Sequence, residues 1–262
     1  MIIYNADGIL TDIEDHKLTC LGYNIPSPQI TYERESADGQ DGDVIIDAKY
    51  ENRSIAVEFL YKASDIVEFH YIKSIIYRLF AKKDPFYITF RKEPARRWLV
   101  RLDTSFELVP TTPNVGSFTV YFISSSPFAE SLGSTLNPSD YFQIRSSDPV
   151  EYAFNHSSFS VWNDGDASID PRQHYLKIEY KGASTNLVIR NLTNGTEWRY
   201  NGSSSSSDIF VLDGVKSFKN GFSVFGNTNR KLIKLEPGLN DFELFGVAEP
   251  FEISFDFRFL YI

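Results

Sequence analysis

Cysteine occurs once in the 262 residues, as Cys20, and methionine once, as Met1. A single thiol excludes an internal disulfide and a thiolate zinc site, and fits folding in a reducing compartment. No run approaches the roughly 18 apolar residues of a membrane span. The opening Met1-Ile2-Ile3-Tyr4-Asn5-Ala6-Asp7 has neither the basic start nor the apolar core of a secretory signal. The sequons at Asn52, Asn155, Asn191, Asn194 and Asn201 are therefore read as ordinary loop chemistry. The four histidines, His16, His70, His156 and His174, show no ligand spacing, and no nucleophile elbow, phosphate loop or dinucleotide fingerprint occurs. Net positive charge is lacking as well. The formal charge is −9, with 14 basic and 18 acidic residues through Pro127 and 12 against 17 beyond it. That favours solubility and argues against general nucleic-acid binding.

What is abundant is aromatic: 22 Phe and 15 Tyr, ample for large cores. One stretch has helical spacing. Phe69, Ile72, Ile75, Ile76, Leu79 and Phe80 line one face over residues 65–81. Asp65 with Glu68 reads as a capping box, Lys82 and Lys83 suit the far end of the dipole, and Asp84-Pro85 stops the helix. The rest alternates. Ser54–Tyr61, Phe86–Phe90, Trp98–Leu102, Phe106–Val109 and Ser117–Ile123 are expected as strands around the helix, giving an α+β unit. Residues 1–50 read as irregular apart from short strands at Met1–Tyr4 and Lys17–Tyr23. Ser124–Asp148 is a break rich in Ser, Gly and Pro. Beyond it, short strands are expected at Tyr175–Lys181, Asn186–Asn191, Glu197–Tyr200, Asp208–Leu212, Gly221–Phe225, Lys231–Leu235 and Asp241–Leu244, with Asn-Gly and Pro-Gly turns between them. The comb of Phe251, Ile253, Phe255, Phe257, Phe259 and Tyr261 demands burial in the middle of a sheet. The expected fold is mainly β: an α+β N-terminal domain over 1–130, a linker or crossing segment over 131–157, and a β-sandwich over 158–262, whose last strand could pack on either domain.

Candidate chemistry is sparse. Asp164, Asp166 and Asp170 could form a calcium loop, although a turn is the favoured reading, as it is for Ala37–Asp43. Trp162, Trp198 and Tyr200 could stack on sugar rings, against the commoner role of large aromatics as core. Cys20 sits in a strand-like run, where a structural thiol is the commoner reading. Eight basic residues from Arg78 to Arg101 face only Asp84 and Glu93, as a solvated sheet face or a subunit contact would. No catalytic residue and no cofactor site is assigned, so the sequence points to a non-enzymatic protein whose interest lies in its surfaces.

Several pieces, weak alone but ordered along the chain, resemble the distal tail proteins (Dit) of long-tailed non-contractile phages and prophages. They are Ile25-Pro-Ser-Pro-Gln29, Gly39-Gln-Asp-Gly42, Tyr50–Val57, Arg97–Asp103, Ser126–Ser131, Val161–Gly165, Ile189–Gly195, Leu235–Asn240 and Phe255–Ile262. The acidic turn carries Gln40 where the family pattern leads one to expect a basic residue. The resemblance implies a structural component of the virion tail tip, made in the cytoplasm of the host bacterium. Its N-terminal domain would close a homohexameric ring, single or paired, through which DNA passes without specific recognition. Its partners would be the tail tube protein, the tail-associated hub protein and receptor-binding or baseplate proteins, with no membrane. The outer domain would be galectin-like or like a carbohydrate-binding module. Candidate ring contacts are the segment Pro26–Asp43 as a belt (Pro26, Pro28, Gly39, Asp41, Gly42), the strand with Arg53, Ile55 and Val57, and the basic hairpin with Arg96, Arg97 and Trp98. The alternative is a module that binds host-wall glycans directly. A glycoside hydrolase ranks below both.

Overall fold

Alternating apolar and polar side chains build the chain mainly as antiparallel strands. The computed structural model describes residues 1–4, 10–36, 39, 41–112, 114–142, 144–145 and 150–262. It divides into a first unit, Met1–Ala129 with Ile262, and a second, Glu130–Tyr261. Among the described residues only one α-helix occurs.

In the first unit, β1 (Ile2–Tyr4), β2 (Leu10–Asp12), β3 (Leu18–Asn24), β6 (Arg53–Lys62), β7 (Phe86–Phe90), β8 (Glu93–Leu102) and β10 (Val115–Ser124) form one sheet in the order β2-β1-β7-β8-β10-β6-β3. β4 (Ile30–Glu35) and β5 (Val44–Tyr50) form a separate ribbon, and β9 (Val109–Thr112) flanks β10. β6 is held on both edges, by β3 and by β10. Its alternate residues Ile55, Val57, Phe59 and Tyr61 are buried. The helix α1 (Ile66–Phe80) lays Phe69, Ile72, Ile76 and Phe80 into the same core, where the ring of Phe80 lies 5.1 Å from that of Phe59 and 5.6 Å from that of Phe122. Asp65 caps the helix as expected, accepting from the Glu68 N–H at 2.8 Å. Glu68 reaches back one residue further than a capping box would, to the N–H and hydroxyl of Ser64, both at 2.6 Å, and also binds Lys17.

β11 (Ala129–Ser131) begins on the last residue of the stretch Met1–Ala129, and the second unit goes on through β12 (Ala153–Phe154), β13 (Ser158–Asn163), β14 (Leu176–Asn191), β15 (Glu197–Arg199), β16 (Ser203–Ser204), β17 (Ile209–Asp213), β18 (Lys216–Lys219), β19 (Phe222–Ser223), β20 (Gly238–Phe257) and β21 (Leu260–Tyr261). Its main sheet runs β12-β20-β14-β17-β18-β19, with β13 on β20 and β15 and β16 on β14. The short strands expected at Tyr175–Lys181 and Asn186–Asn191 fuse into β14, and Asp241–Leu244 fuses with the first part of the aromatic comb into β20. The turn-like residues between them act as bulges within one long ladder, between Gly182 and Ala183 and between Ser184 and Val188. Gly246 sits at this irregularity with φ +74°, where a Cβ would come within 2.2 Å of the Thr185 carbonyl oxygen. Lys231–Leu235 makes no strand; only Leu235 bridges, to Ile169.

Two further expectations change. The strand expected at Phe106–Val109 begins only at Val109, because Phe106 and Leu108 turn toward the core, Phe106 stacking on Phe118 at 5.5 Å. Residues 24–50, read as irregular, contain the β4–β5 ribbon. The comb of the closing strand is buried as anticipated, from Phe251 to Phe259, with β20 paired to β12 and β14. The described part of 131–157, read as a linker or crossing segment, serves this strand. Thr135 Oγ1 donates to the Phe255 carbonyl at 2.8 Å, and Ser131 Oγ accepts from the Phe259 N–H at 3.1 Å.

Candidate functional site

The β4–β5 ribbon exposes apolar side chains along both of its strands. It pairs with itself alone, from Ile30 opposite Tyr50 to Glu35 opposite Val44. Ile30 and Tyr32 of β4 stand opposite Tyr50 and Ala48 of β5, and past the bulge between Glu33 and Arg34 the exposed Ile45 and Val44 stand opposite Arg34 and Glu35. Thr31, Glu33, Asp47 and Lys49 take the other face, where Lys49 pairs with Asp47 at 3.1 Å. Val44 is 60% exposed and Ile46 58%. A lone two-stranded ribbon is marginal in water, and here Tyr50 packs edge-on against the Phe128 ring at 5.7 Å. Gly39 (φ +85°) and Gly42 (φ +89°), both in the left-handed region, lie in the connection between the strands. Asp41 beside them is exposed.

The proposed contact residues divide sharply. Pro26 is exposed and Pro28 half-buried, ahead of the ribbon. Gln40 and the neighbouring Ala37 and Asp38 lie outside the described residues. Ile55 and Val57 are fully buried in β6, a strand with neighbours on both edges, so they belong to the core and present no surface to a partner. Arg53 is buried too. Its guanidinium stands 5.2 Å over the Trp98 ring and donates to the Pro127 carbonyl at 3.0 Å, while burial lowers its pKa. Trp98 is 3% exposed and is likewise interior. Arg96 and Arg97 are half-buried on β8, Arg97 lying 3.7 Å over Tyr87. Arg91, at the hairpin end, binds Asp12 at 2.5 Å. Sequence reasoning missed the apolar start of α1, where Ile66, Val67 and Tyr71 are exposed. The signal was present: these residues lie off the stripe that the helix buries.

The second unit closes most of the chemistry considered from the sequence. Trp198 is buried with Nε1 donating to Ser217 Oγ at 3.1 Å, and Tyr200 is buried against Phe210, so neither offers a face to a sugar. Trp162 is half-buried and donates to Asp164 at 3.0 Å. The three aspartates are engaged by cations of the chain itself. Asp164 and Asp166 face Arg145, and Asp170 binds Arg172 at 2.6 Å and Lys234 at 2.8 Å, which holds its carboxyl well below the usual range. Among the described residues, no three His, Cys, Asp or Glu side chains gather to hold a metal. The Cys20 thiol is raised by burial, the opposite of what a nucleophile needs.

Residues 12–124 match the family described as phage tail protein RIFT-related domain. Across the whole chain the fold is that of the SPP1 Dit (gp 19.1) protein, described as a paradigm of the hub adsorption apparatus in phages infecting Gram-positive bacteria. The TM-score is 0.73 at 16% identity, over 95% of this chain and 96% of that one. A chain of the phage P2 baseplate, in its activated conformation with Ca, matches with a TM-score of 0.51 at 10% identity, over 98% and 96%. No curated protein matches. The resemblance to siphophage distal tail proteins and the mainly β fold with one helix therefore hold.

Proposed function

We propose that this chain is a structural protein of a phage tail tip, without catalysis. Its first unit closes a homohexameric ring between the tail tube and the tail-associated hub, and its second unit serves as a platform for receptor-binding or baseplate proteins. The β4–β5 ribbon carries the reading: a largely exposed apolar surface, anchored at Tyr50 against the Phe128 ring at 5.7 Å, is an arm built to lie on a neighbour. Its landing surface needs apolar area and positive charge. Residues 30–50 carry six acidic side chains against Arg34 and Lys49. The start of α1 supplies the apolar area through Ile66, Val67 and Tyr71, and the exposed Lys92 and Arg101 of the β7–β8 hairpin supply the charge. A head-to-tail contact of this kind closes into a ring when its rotation divides the circle.

Light scattering on a sizing column tests this reading. A mass near six times the 30.0 kDa chain, or twice that for paired rings, is expected for the intact protein. Replacing residues 30–50 by a short Gly-Ser linker is expected to yield a folded 30 kDa-class monomer. A ring that survives this deletion overturns the arm.

A further inference from the structure

Asparagine followed by glycine occurs three times in the chain, at Asn194-Gly195, Asn201-Gly202 and Asn220-Gly221, all in the second unit. Such a pair can react with itself. The glycine main-chain nitrogen, unshielded by a side chain, attacks the asparagine Cγ. An N–Cγ bond forms, the side-chain nitrogen leaves as ammonia with the proton of the glycine amide, and a five-membered imide remains. Water then opens the imide at one of its two carbonyls, giving aspartate or isoaspartate. The attack needs a side-chain amide free to turn onto the chain and a main-chain nitrogen that no acceptor holds.

The fold treats the three pairs differently. Asn194 is tied at both ends of its amide. Its Nδ2 donates to the Lys234 carbonyl at 3.0 Å and to Glu236 Oε1 at 3.2 Å, and its Oδ1 accepts from the Thr196 N–H at 3.0 Å and hydroxyl at 2.7 Å. The Gly195 N–H is held as well, donating to the Asn191 carbonyl at 2.9 Å. Asn220 donates to Asp208 Oδ1 at 2.7 Å and accepts from the Ile209 N–H at 2.8 Å. These bonds must open before a ring can close, and the ones to carboxylates are the stronger. Asn201 is exposed, and among the described residues neither its side chain nor the Gly202 N–H makes a hydrogen bond. The chain around it stays in register: the Asn201 N–H donates to the Asn227 carbonyl at 2.7 Å, and the Gly202 carbonyl accepts from the Asn186 N–H at 2.8 Å. A Cβ at residue 202 would lie 3.0 Å from the Tyr200 ring, so glycine is the residue that fits there.

We infer that Asn201 is a site of spontaneous deamidation in the folded protein, converting to aspartate and isoaspartate while Asn194 and Asn220 remain amides. The conversion makes the chain one charge more negative. In the isoaspartyl form it also puts a methylene into the main chain just ahead of β16, whose Ser203 and Ser204 pair with Thr185 and Ser184 of β14.

The test is peptide mapping by mass spectrometry after incubation of the intact protein in warm, mildly alkaline buffer, folded and in urea. In urea the three pairs are expected to convert at similar rates, because glycine follows asparagine in each. In the folded protein Asn201 is expected to convert at least about tenfold faster than either of the others, whose amides are free only when their hydrogen bonds open. On ion exchange the acidic form should be lost in Asn201→Gln, because the longer side chain closes its ring far more slowly. Asp208→Ala removes the acceptor of the Asn220 amide. It should raise the rate at Asn220 and leave that at Asn201 as it was. Equal or faster conversion at Asn194 or Asn220 in the fold, or an acidic form that persists in Asn201→Gln, overturns the inference. So does an Asn220 rate indifferent to Asp208→Ala, or a folded protein that stays unmodified while its urea-unfolded form converts.

Discussion

At the start of α1 a single carboxylate gathers three donors, from Lys17 and from the N–H and hydroxyl of Ser64. The hydrogen bond from Lys17, followed by those from Ser64, draws the Glu68 carboxyl from 4.5 down to about 2. A depressed folded value means the contribution is fully present above the unfolded value of 4.5 and is lost as pH falls through about 2. Glu68→Gln is therefore expected to lower the urea midpoint at neutral pH, with the two proteins converging as the pH is taken from 4.5 toward 2. The site is at the surface, so added salt shrinks the difference. Parallel curves at every pH would show that the carboxylate contributes nothing. Trp198 makes the opposite case. Its replacement by Ala removes a buried ring from the core of the second unit and is expected to destabilise by about 3–5 kcal/mol, seen as a lower urea midpoint. Any loss of glycan binding in that variant would report unfolding, so Trp162→Ala is the informative substitution for a sugar-binding reading.

Elements with a strong period were readable in the sequence, because burial and period agree there: α1 buries Phe69, Ile72, Ile76 and Phe80 of its expected stripe and half-buries Ile75 and Leu79, and β6 buries its alternate residues. Two kinds of element were not. β14 and β20 run on where separate short strands were expected, because the ladder passes through bulges at Gly182/Ala183 and Ser184/Val188 and does not end in turns. The β4–β5 ribbon was obscured by its acidic, Gly-containing connection, although Val44-Ile45-Ile46 and the alternation of Ile30 and Tyr32 were there to be seen. The candidate site suffered from the same ambiguity. Ile55, Val57 and Trp98 had the pattern of strand residues, and a pattern of period two does not say whether the face it builds is core or contact. The ribbon now carries a sharper prediction. Ile46→Asp and Val67→Asp alter exposed side chains, so each is expected to leave the unfolding free energy within about 1 kcal/mol of the parent while reducing the light-scattering mass to that of the monomer. Loss of fold in either variant would instead place that residue in the unit's own core.

For the molecule as a whole, the even division of negative charge between the two halves conceals local contrast. Residues 30–50 are acidic, residues 78–101 hold eight cations against Asp84 and Glu93, and 214–235 hold cations alone. An evenly acidic average therefore says little about association, since exposed charges act over about one Debye length, roughly 10 Å at 0.1 M salt. If the arm of one copy is steered onto the basic hairpin of the next, raising salt should slow assembly and shift the mass toward 30.0 kDa, with the apolar face retaining part of the affinity. Lys92→Glu/Arg101→Glu should reproduce the high-salt behaviour at low salt, and Asp43→Lys/Asp47→Lys in the arm should restore the ring when combined with it. Rescue by the combined variant is the discriminating result, because general destabilisation would add where charge complementarity cancels. A mass that ignores salt and both reversals, yet falls on Ile46→Asp, would assign the contact to the apolar face of the ribbon and leave the basic hairpin free for a different neighbour.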